Sequence, residues 1–301
     1  MSSLFSNLAA ASAVALLRLL PRLSPGERSW IARKLVRDRF SPEARAFAAF
    51  CTQAVHAWKN RQYDIHQNGE EALLKRLAPF RPGVLFDVGA NEGEWAIAAC
   101  TALPEASVHA FEIVPAMAAQ LAGGVSRFGA RVTVNAVGLS DRAGSITIYR
   151  TPDDTTKTSA LQISPEYTAT ETPKPLIAEE AAIRTGDSYL EEHGIARIDL
   201  LKIDVEGAEE TVLRGFARAF AEQRVTLVQF EYGWVNAHNG FRLKDGYAFF
   251  EERGFVLGKL YPEGVAFKPY AYADEDFLGP NYVACHASRP DIIAHLRCEP
   301  L

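Results

Sequence analysis

Val84-Leu85-Phe86-Asp87-Val88-Gly89-Ala90-Asn91-Glu92-Gly93 is a short apolar run, broken once by an acid, that enters a turn bearing two glycines; a helical pattern from Glu94 to Ala102 follows directly. A buried strand that passes through a tight turn into a helix is the opening step of a βα unit. At such a turn Gly89 and Gly93 let the backbone fold closely against a ligand, and the first N–H groups of the helix turn partial positive charge toward an anionic group.

Working outward, further short apolar runs lie at Val108–Phe111, Val132–Asn135, Ile198–Asp204, Thr226–Glu231, Phe255–Leu260 and Tyr282–His286, with helical stretches between them. Alternating strands and helices predict an α/β fold with a mostly parallel sheet covered by helices on both faces. The domain so predicted runs over 81–290. Its one irregular stretch, Thr151–Glu179, is rich in Thr, Pro and acids and reads as a flap inserted over 151–180; residues 291–301 read as a tail. Residues 1–80 read as a helical extension. Ser24-Pro25-Gly26-Glu27 is a capping box, Ser41-Pro42 opens a second helix, and Asn68 with Glu71 as reciprocal partner opens a third that runs to about Leu77.

Composition bounds the function. With 301 residues, 48% hydrophobic and 23% charged, the chain can bury its own core, which excludes bulk disorder. Cys51, Cys100, Cys285 and Cys298 show neither metal-ligand spacing nor a disulfide framework, so a reducing, cytoplasmic setting is expected. Residues 1–61 carry ten Lys and Arg against three Asp and Glu, a balance of +7, while the rest of the chain carries −12. An acidic main body argues against a nucleic-acid enzyme. The apolar run Leu4–Leu20 is interrupted by Arg18 and lacks the positive n-region of an export signal. It is expected to form a helix packed on the domain or on a second copy of the chain, or one lying on a membrane surface.

Glu112 falls 23 residues after Gly89, at the end of the next strand, where an acid can accept both hydroxyls of an adenosine ribose. A dinucleotide turn would need glycine at position 91, and this chain has Asn91. The turn suits better a smaller zwitterion, the methionine part of S-adenosylmethionine, with Asp87 near its ammonium group.

Four segments, DVGANEG at 87–93, FEIVP at 111–115, NAVGLSD at 135–141 and LLKIDVEGAEETVLRG at 200–215, resemble the FkbM family of S-adenosylmethionine-dependent methyltransferases. The resemblance covers about Tyr63 to His286, and its IDVEGAE segment is more diagnostic than the glycine turn. It implies a Rossmann-like class I methyltransferase fold, a seven-stranded sheet with the last strand antiparallel, acting on hydroxyls of sugars, glycans or specialised metabolites. It further implies that Asp87, Gly89, Ala90, Asn91 and Gly93 form the methionine-binding turn, that Glu112 is the ribose acid, and that Ser140 and Asp141 meet the adenine. Asp141-Arg142-Ala143-Gly144 reads equally as a hairpin turn between Gly138–Ser140 and Ser145–Arg150.

Methyl transfer to a hydroxyl needs alignment of the acceptor and a base for its proton. Asp204 ends its strand on the edge that also carries Gly89 and is the first candidate base; Glu231, at the next strand end, shares or supports that role, and His238 is an outside candidate. Glu206 is expected to contact the acceptor or to cap the following helix. Tyr232 and Tyr270, the latter in an aromatic stretch over 261–277, are candidate acceptor contacts or minor core. Asp204, Glu206 and Glu231 could together hold Mg²⁺, yet the same acids serve acceptor hydroxyls equally well, so a metal is not favoured. The alternatives are an NAD(P)-dependent oxidoreductase and a non-catalytic protein that binds the cofactor or a partner.

Overall fold

The computed structural model describes residues 18–150 and 176–299. Most of the run Leu4–Leu20 and nearly all of the expected flap lie outside the described residues. The chain divides into two compact units, residues 1–58 and 59–301.

In the first unit, helices α1 (Pro25–Leu35) and α2 (Pro42–Trp58) start where their caps predict. Ser24 Oγ accepts from Glu27 N while Glu27 Oε2 accepts from Ser24 N, and Ser41 Oγ accepts from Ala44 N. The third helix, α3 (Glu70–Leu77), belongs to the second unit. Its Leu73, Leu74 and Leu77 are fully buried in the same core as Ala96, Ala99 and Leu103, which is why it does not separate with the extension. Asn68 precedes it as expected, but its partner is Glu70 and not Glu71: Glu70 N donates to Asn68 Oδ1 and Asn68 Nδ2 donates to Glu70 Oε1.

The second unit holds strands β1 (Val84–Val88), β2 (Ser107–Phe111), β3 (Val132–Asn135), β4 (Gly138–Leu139), β5 (Gly144–Arg150), β6 (Ile177–Arg184), β7 (Ile198–Ile203), β8 (Val225–Glu231), β9 (Phe255–Tyr261), β10 (Gly264–Phe267) and β11 (Asn281–His286). The main sheet has the order β10-β9-β11-β8-β7-β1-β2-β3. Strands β3, β2, β1, β7 and β8 run parallel, and β11 lies antiparallel between β8 and β9. This is the Rossmann-like α/β fold expected, with each of the seven strands in place. The count is eight, because β10 folds back on β9 within the aromatic stretch read as a loop; Val265 and Phe267 there are buried core.

A separate three-stranded sheet, β4-β6-β5, corrects the hairpin reading. Strand β6 inserts between β4, which it meets in parallel, and β5, which it meets antiparallel, so Asp141–Gly144 does not join paired neighbours. Residues 177–180, the end of the expected flap, are the first half of this strand.

Register fixes what faces what. Leu85, Leu200 and Leu227 are neighbours across the sheet in one core, and Phe86, Leu201 and Val228 in the other; a slip by one residue would exchange the two sets. The same register brings the carboxyl ends of β1, β2, β7 and β8 to one edge. No helix among the described residues is long and apolar enough to cross a membrane.

Candidate active site

The turns after β1 and β7 press against each other. Gly89 has φ +78°, and a Cβ built on it would fall 1.7 Å from the Asp204 carbonyl oxygen, so only glycine fits there. Gly89 N and Ala90 N both donate to Phe111 O, tying the turn to β2. Asn91 also holds a left-handed φ of 48°, and its N donates to Glu112 Oε2 at 2.9 Å. Glu112 Oε1 accepts from Val114 N at 2.8 Å. Burial pushes the Glu112 carboxyl up, while these two amides act in the opposite sense. Each carboxylate oxygen keeps a second lone pair for a ligand hydroxyl. Gly89→Ala is expected to lower stability by about 3 kcal/mol and to weaken S-adenosylmethionine binding, checked by thermal unfolding with and without the nucleoside.

Beneath this turn lies a buried charge cluster that centres on Lys202, a residue the sequence marks only as a neighbour of the acids. Its Nζ stands 3.1 Å from Asp87 Oδ1 and 3.4 Å from Asp204 Oδ2, and donates to Gly89 O at 3.2 Å. Burial disfavours the ammonium, but Asp87, Asp204 and Glu70 outweigh it and hold Lys202 above the ordinary range. Asp87 is fully buried, and burial pushes its carboxyl up despite Lys202. Its Oδ2 has no hydrogen-bond partner, nor has Asn91 Oδ1. Glu70, also buried, accepts from Gln229 Nε2 at 2.6 Å and from Asn68.

Past β7 the chain turns through Glu206 and Gly207, both left-handed, with φ of 52° and 100°. Glu209 ties this turn down: its Oε1 accepts from Val205 N and Gly207 N, and its Oε2 accepts from Asn236 Nδ2 at 2.8 Å. Glu206 lies on the cleft wall with Asp204 and Glu231. Glu231 has its carboxyl raised well above the usual carboxylate range, first by burial and then by the charges of Asp204, Glu206 and Glu209. In the unfolded chain Glu231 loses its proton near its ordinary value of 4.5, before the folded chain does. Stability therefore falls as pH rises above that value, until the folded carboxyl ionises too. Glu231→Gln removes this loss: its melting temperature is expected to exceed that of the parent by a margin that is small at pH 4 and grows toward pH 8.

A cleft of about 1500 Å³ opens at these turns. Gly89, Ala90, Asn91, Glu112 and Ser140 line it, as do Asp204, Glu206 and Glu231. Asp87 and Gly93 support it from below; the Cβ position at Gly93 lies 2.3 Å from Leu121 Cδ1. Four expected contacts lie off the wall. The Tyr232 and Tyr270 hydroxyls both donate to Glu275, which also accepts from Leu243 N, so these tyrosines brace a helix start. His238 packs edge-on against Trp234, and Asp141 pairs with Arg142 at 3.2 Å; neither lines the cleft. The residues that sequence reasoning missed are Arg61, Tyr63, Glu70, Trp234, Asn236 and Asn281 on the wall, with Glu209 behind it. One signal was present: Gln229, a lone amide inside the apolar strand VTLVQFE, marks the buried polar contact with Glu70.

Among the described residues no group of three or more His, Cys, Asp or Glu is placed to hold a metal ion. An adenosine-bearing zwitterion does fit the residues present. The glycine at position 89 admits close backbone approach, Glu112 offers free lone pairs, and unpartnered oxygens of Asp87 and Asn91 lie at the turn.

Residues 87–257 match the model of the FkbM methyltransferase domain, more than half of the chain, and the chain belongs to that family. It is 33% identical over 168 residues to 31-O-demethyl-FK506 methyltransferase FkbM of Streptomyces tacrolimicus, an alignment covering 48% of this chain and 64% of that relative. It is 29% identical over 212 residues to the hexuronic acid methyltransferase AglP of Haloferax volcanii, covering 68% and 81%. Among solved structures it is similar to precorrin-6y C5,15-methyltransferase from Geobacter metallireducens, 13% identical with a TM-score of 0.36, covering 71% of this chain and 85% of that one.

Proposed function

We propose that the chain is an S-adenosylmethionine-dependent O-methyltransferase that acts on a hydroxyl of a sugar, a glycan or a specialised metabolite. The observation that carries this reading is that the glycine turn with Glu112 and the acids Asp204 and Glu231 open onto one cleft. Family membership supports it, as do two relatives named for 31-O-demethyl-FK506 and for hexuronic acid.

When bound, S-adenosylmethionine supplies a methyl carbon made electrophilic by a positively charged sulfur. Glu112 is placed to take the ribose hydroxyls, and Ile113, Leu139 and Ser140 line the wall where the adenine would lie. On the acceptor side Asp204 takes the hydroxyl proton. Lys202 holds Asp204 in place, and Glu231, its carboxyl raised by burial and by the charge of Asp204, lies beside it. Tyr63 and Trp234, both exposed on the wall, offer ring faces to a sugar.

Calorimetric titration with S-adenosylmethionine and with NAD tests the cofactor; binding of the first and not the second is expected, and the reverse supports the oxidoreductase alternative. Incubation with labelled methyl donor and a cell-glycan or metabolite fraction then tests transfer. Tight nucleoside binding with no labelled product from any such fraction favours the non-catalytic alternative.

A further inference from the structure

Seven of the large apolar side chains most exposed among the described residues fall in the 41 residues from 18 to 58: Leu19, Trp30, Leu35, Phe40, Phe50, Val55 and Trp58. Phe40 is 75% exposed, and Trp30 and Trp58 are each 58% exposed. Over the same residues the sequence carries eight Lys and Arg against three Asp and Glu, and each of these basic side chains is exposed.

The two kinds of side chain are interleaved, not segregated. Trp30, Arg33 and Lys34 share one face of α1 at i, i+3 and i+4, and Lys34 Nζ lies 5.4 Å from the Trp30 ring. Phe40, between the helices, directly follows Arg37 and Arg39 in a segment bearing one acid. On α2, Phe50 and Trp58 fall two turns apart on one side. Apolar rings set among basic residues are what an interfacial segment presents: the rings enter the boundary between headgroups and acyl chains, and the cations meet phosphate.

We infer that the unit formed by residues 1–58 docks on the surface of an anionic phospholipid bilayer through Trp30, Phe40 and the basic residues around them. Charge selects this occupant. Apposition of the same face on two copies would set basic against basic. A nucleic acid would use the cations but leave Leu19, Leu35 and Val55 in water. The net charge of −12 outside residues 1–61 means that an anionic surface attracts this unit and repels the remainder of the chain.

The test is vesicle flotation of the full chain, using phosphatidylcholine alone and phosphatidylcholine with about one-third phosphatidylserine. Recovery with the anionic vesicles, and its loss as salt is raised, is expected. The triple variant Arg33→Gln/Lys34→Gln/Arg37→Gln, altered at exposed positions, should weaken partition roughly a hundredfold. Trp30→Ser/Phe40→Ser should weaken it at least roughly tenfold, with the melting temperature and S-adenosylmethionine binding of both variants unchanged. Absence of flotation, or equal recovery with both vesicle types, would overturn the inference. So would a sedimentation dimer that Trp30→Ser/Phe40→Ser converts to monomer, or poly(U) binding that survives that substitution and displaces the vesicles.

Discussion

Replacement of Lys202 by methionine is expected to lower stability by about 3–5 kcal/mol, the range seen when one partner of a buried ion pair is removed, and to abolish S-adenosylmethionine binding. Lys202 is almost wholly buried and is the cation within 3.5 Å of both Asp87 and Asp204. Methionine nearly matches its volume but leaves the Asp87 carboxylate in the interior with no counter-charge. The sign of the pH dependence follows. Lys202 is held above its ordinary range, so the stability it confers is complete below that range and is lost only at strongly alkaline pH. In the variant Asp87 answers by taking a proton, which drives its already raised carboxyl higher. The gap between parent and variant should therefore be widest above neutrality and narrow toward pH 4, as followed by denaturant unfolding. A second substitution separates charge from packing: Asp87→Asn on the Lys202→Met background should recover more than half of the lost stability. If the double variant is no more stable than Lys202→Met alone, the cluster acts through packing and the electrostatic account is wrong.

Much of this arrangement was legible in the sequence, and what was not has physical causes. Strand ends were readable because apolar runs such as Val108–Phe111 stop at the first acid, and parallel order then sends Gly89, Glu112, Asp204 and Glu231 to one edge. Residues that act through distant partners were not readable. Glu70 sits in what looked like an extension and meets Gln229 across 159 positions of chain, and Glu209 looks like any acid in a first helical turn until Asn236 is seen beside it. The tyrosine partners were hidden for the same reason: Tyr232 follows a strand-end acid directly, yet its hydroxyl donates to Glu275, 43 residues on. Strand β6 was hidden because IAEEAAIR mixes acids with alanines and buries only Ala181 and Ile183 on one face; it is held as well by its neighbours on both sides.

Asp204→Asn is expected to lower kcat by roughly 10²–10⁴ and to leave S-adenosylmethionine affinity within a few-fold of the parent. Asparagine keeps the size of the side chain and, through its amide oxygen, an acceptor for Lys202, but it cannot take the proton of an acceptor hydroxyl at neutral pH. The turn that positions it is held by backbone contacts, Asp204 N to Val88 O and the Glu209 carboxylate to the amides of Val205 and Gly207, none of which the substitution touches. A loss of rate without loss of cofactor binding is therefore the signature of the base. Glu231 supplies a second readout. The charge of Asp204 is one of the causes that raise it, so in Asp204→Asn the Glu231 carboxyl should ionise at lower pH than in the parent, visible by carbon NMR of labelled glutamate. If Asp204→Asn retains the parent kcat, the proton leaves by another route. If it loses rate together with nucleoside affinity, Asp204 shapes the turn and is not the base.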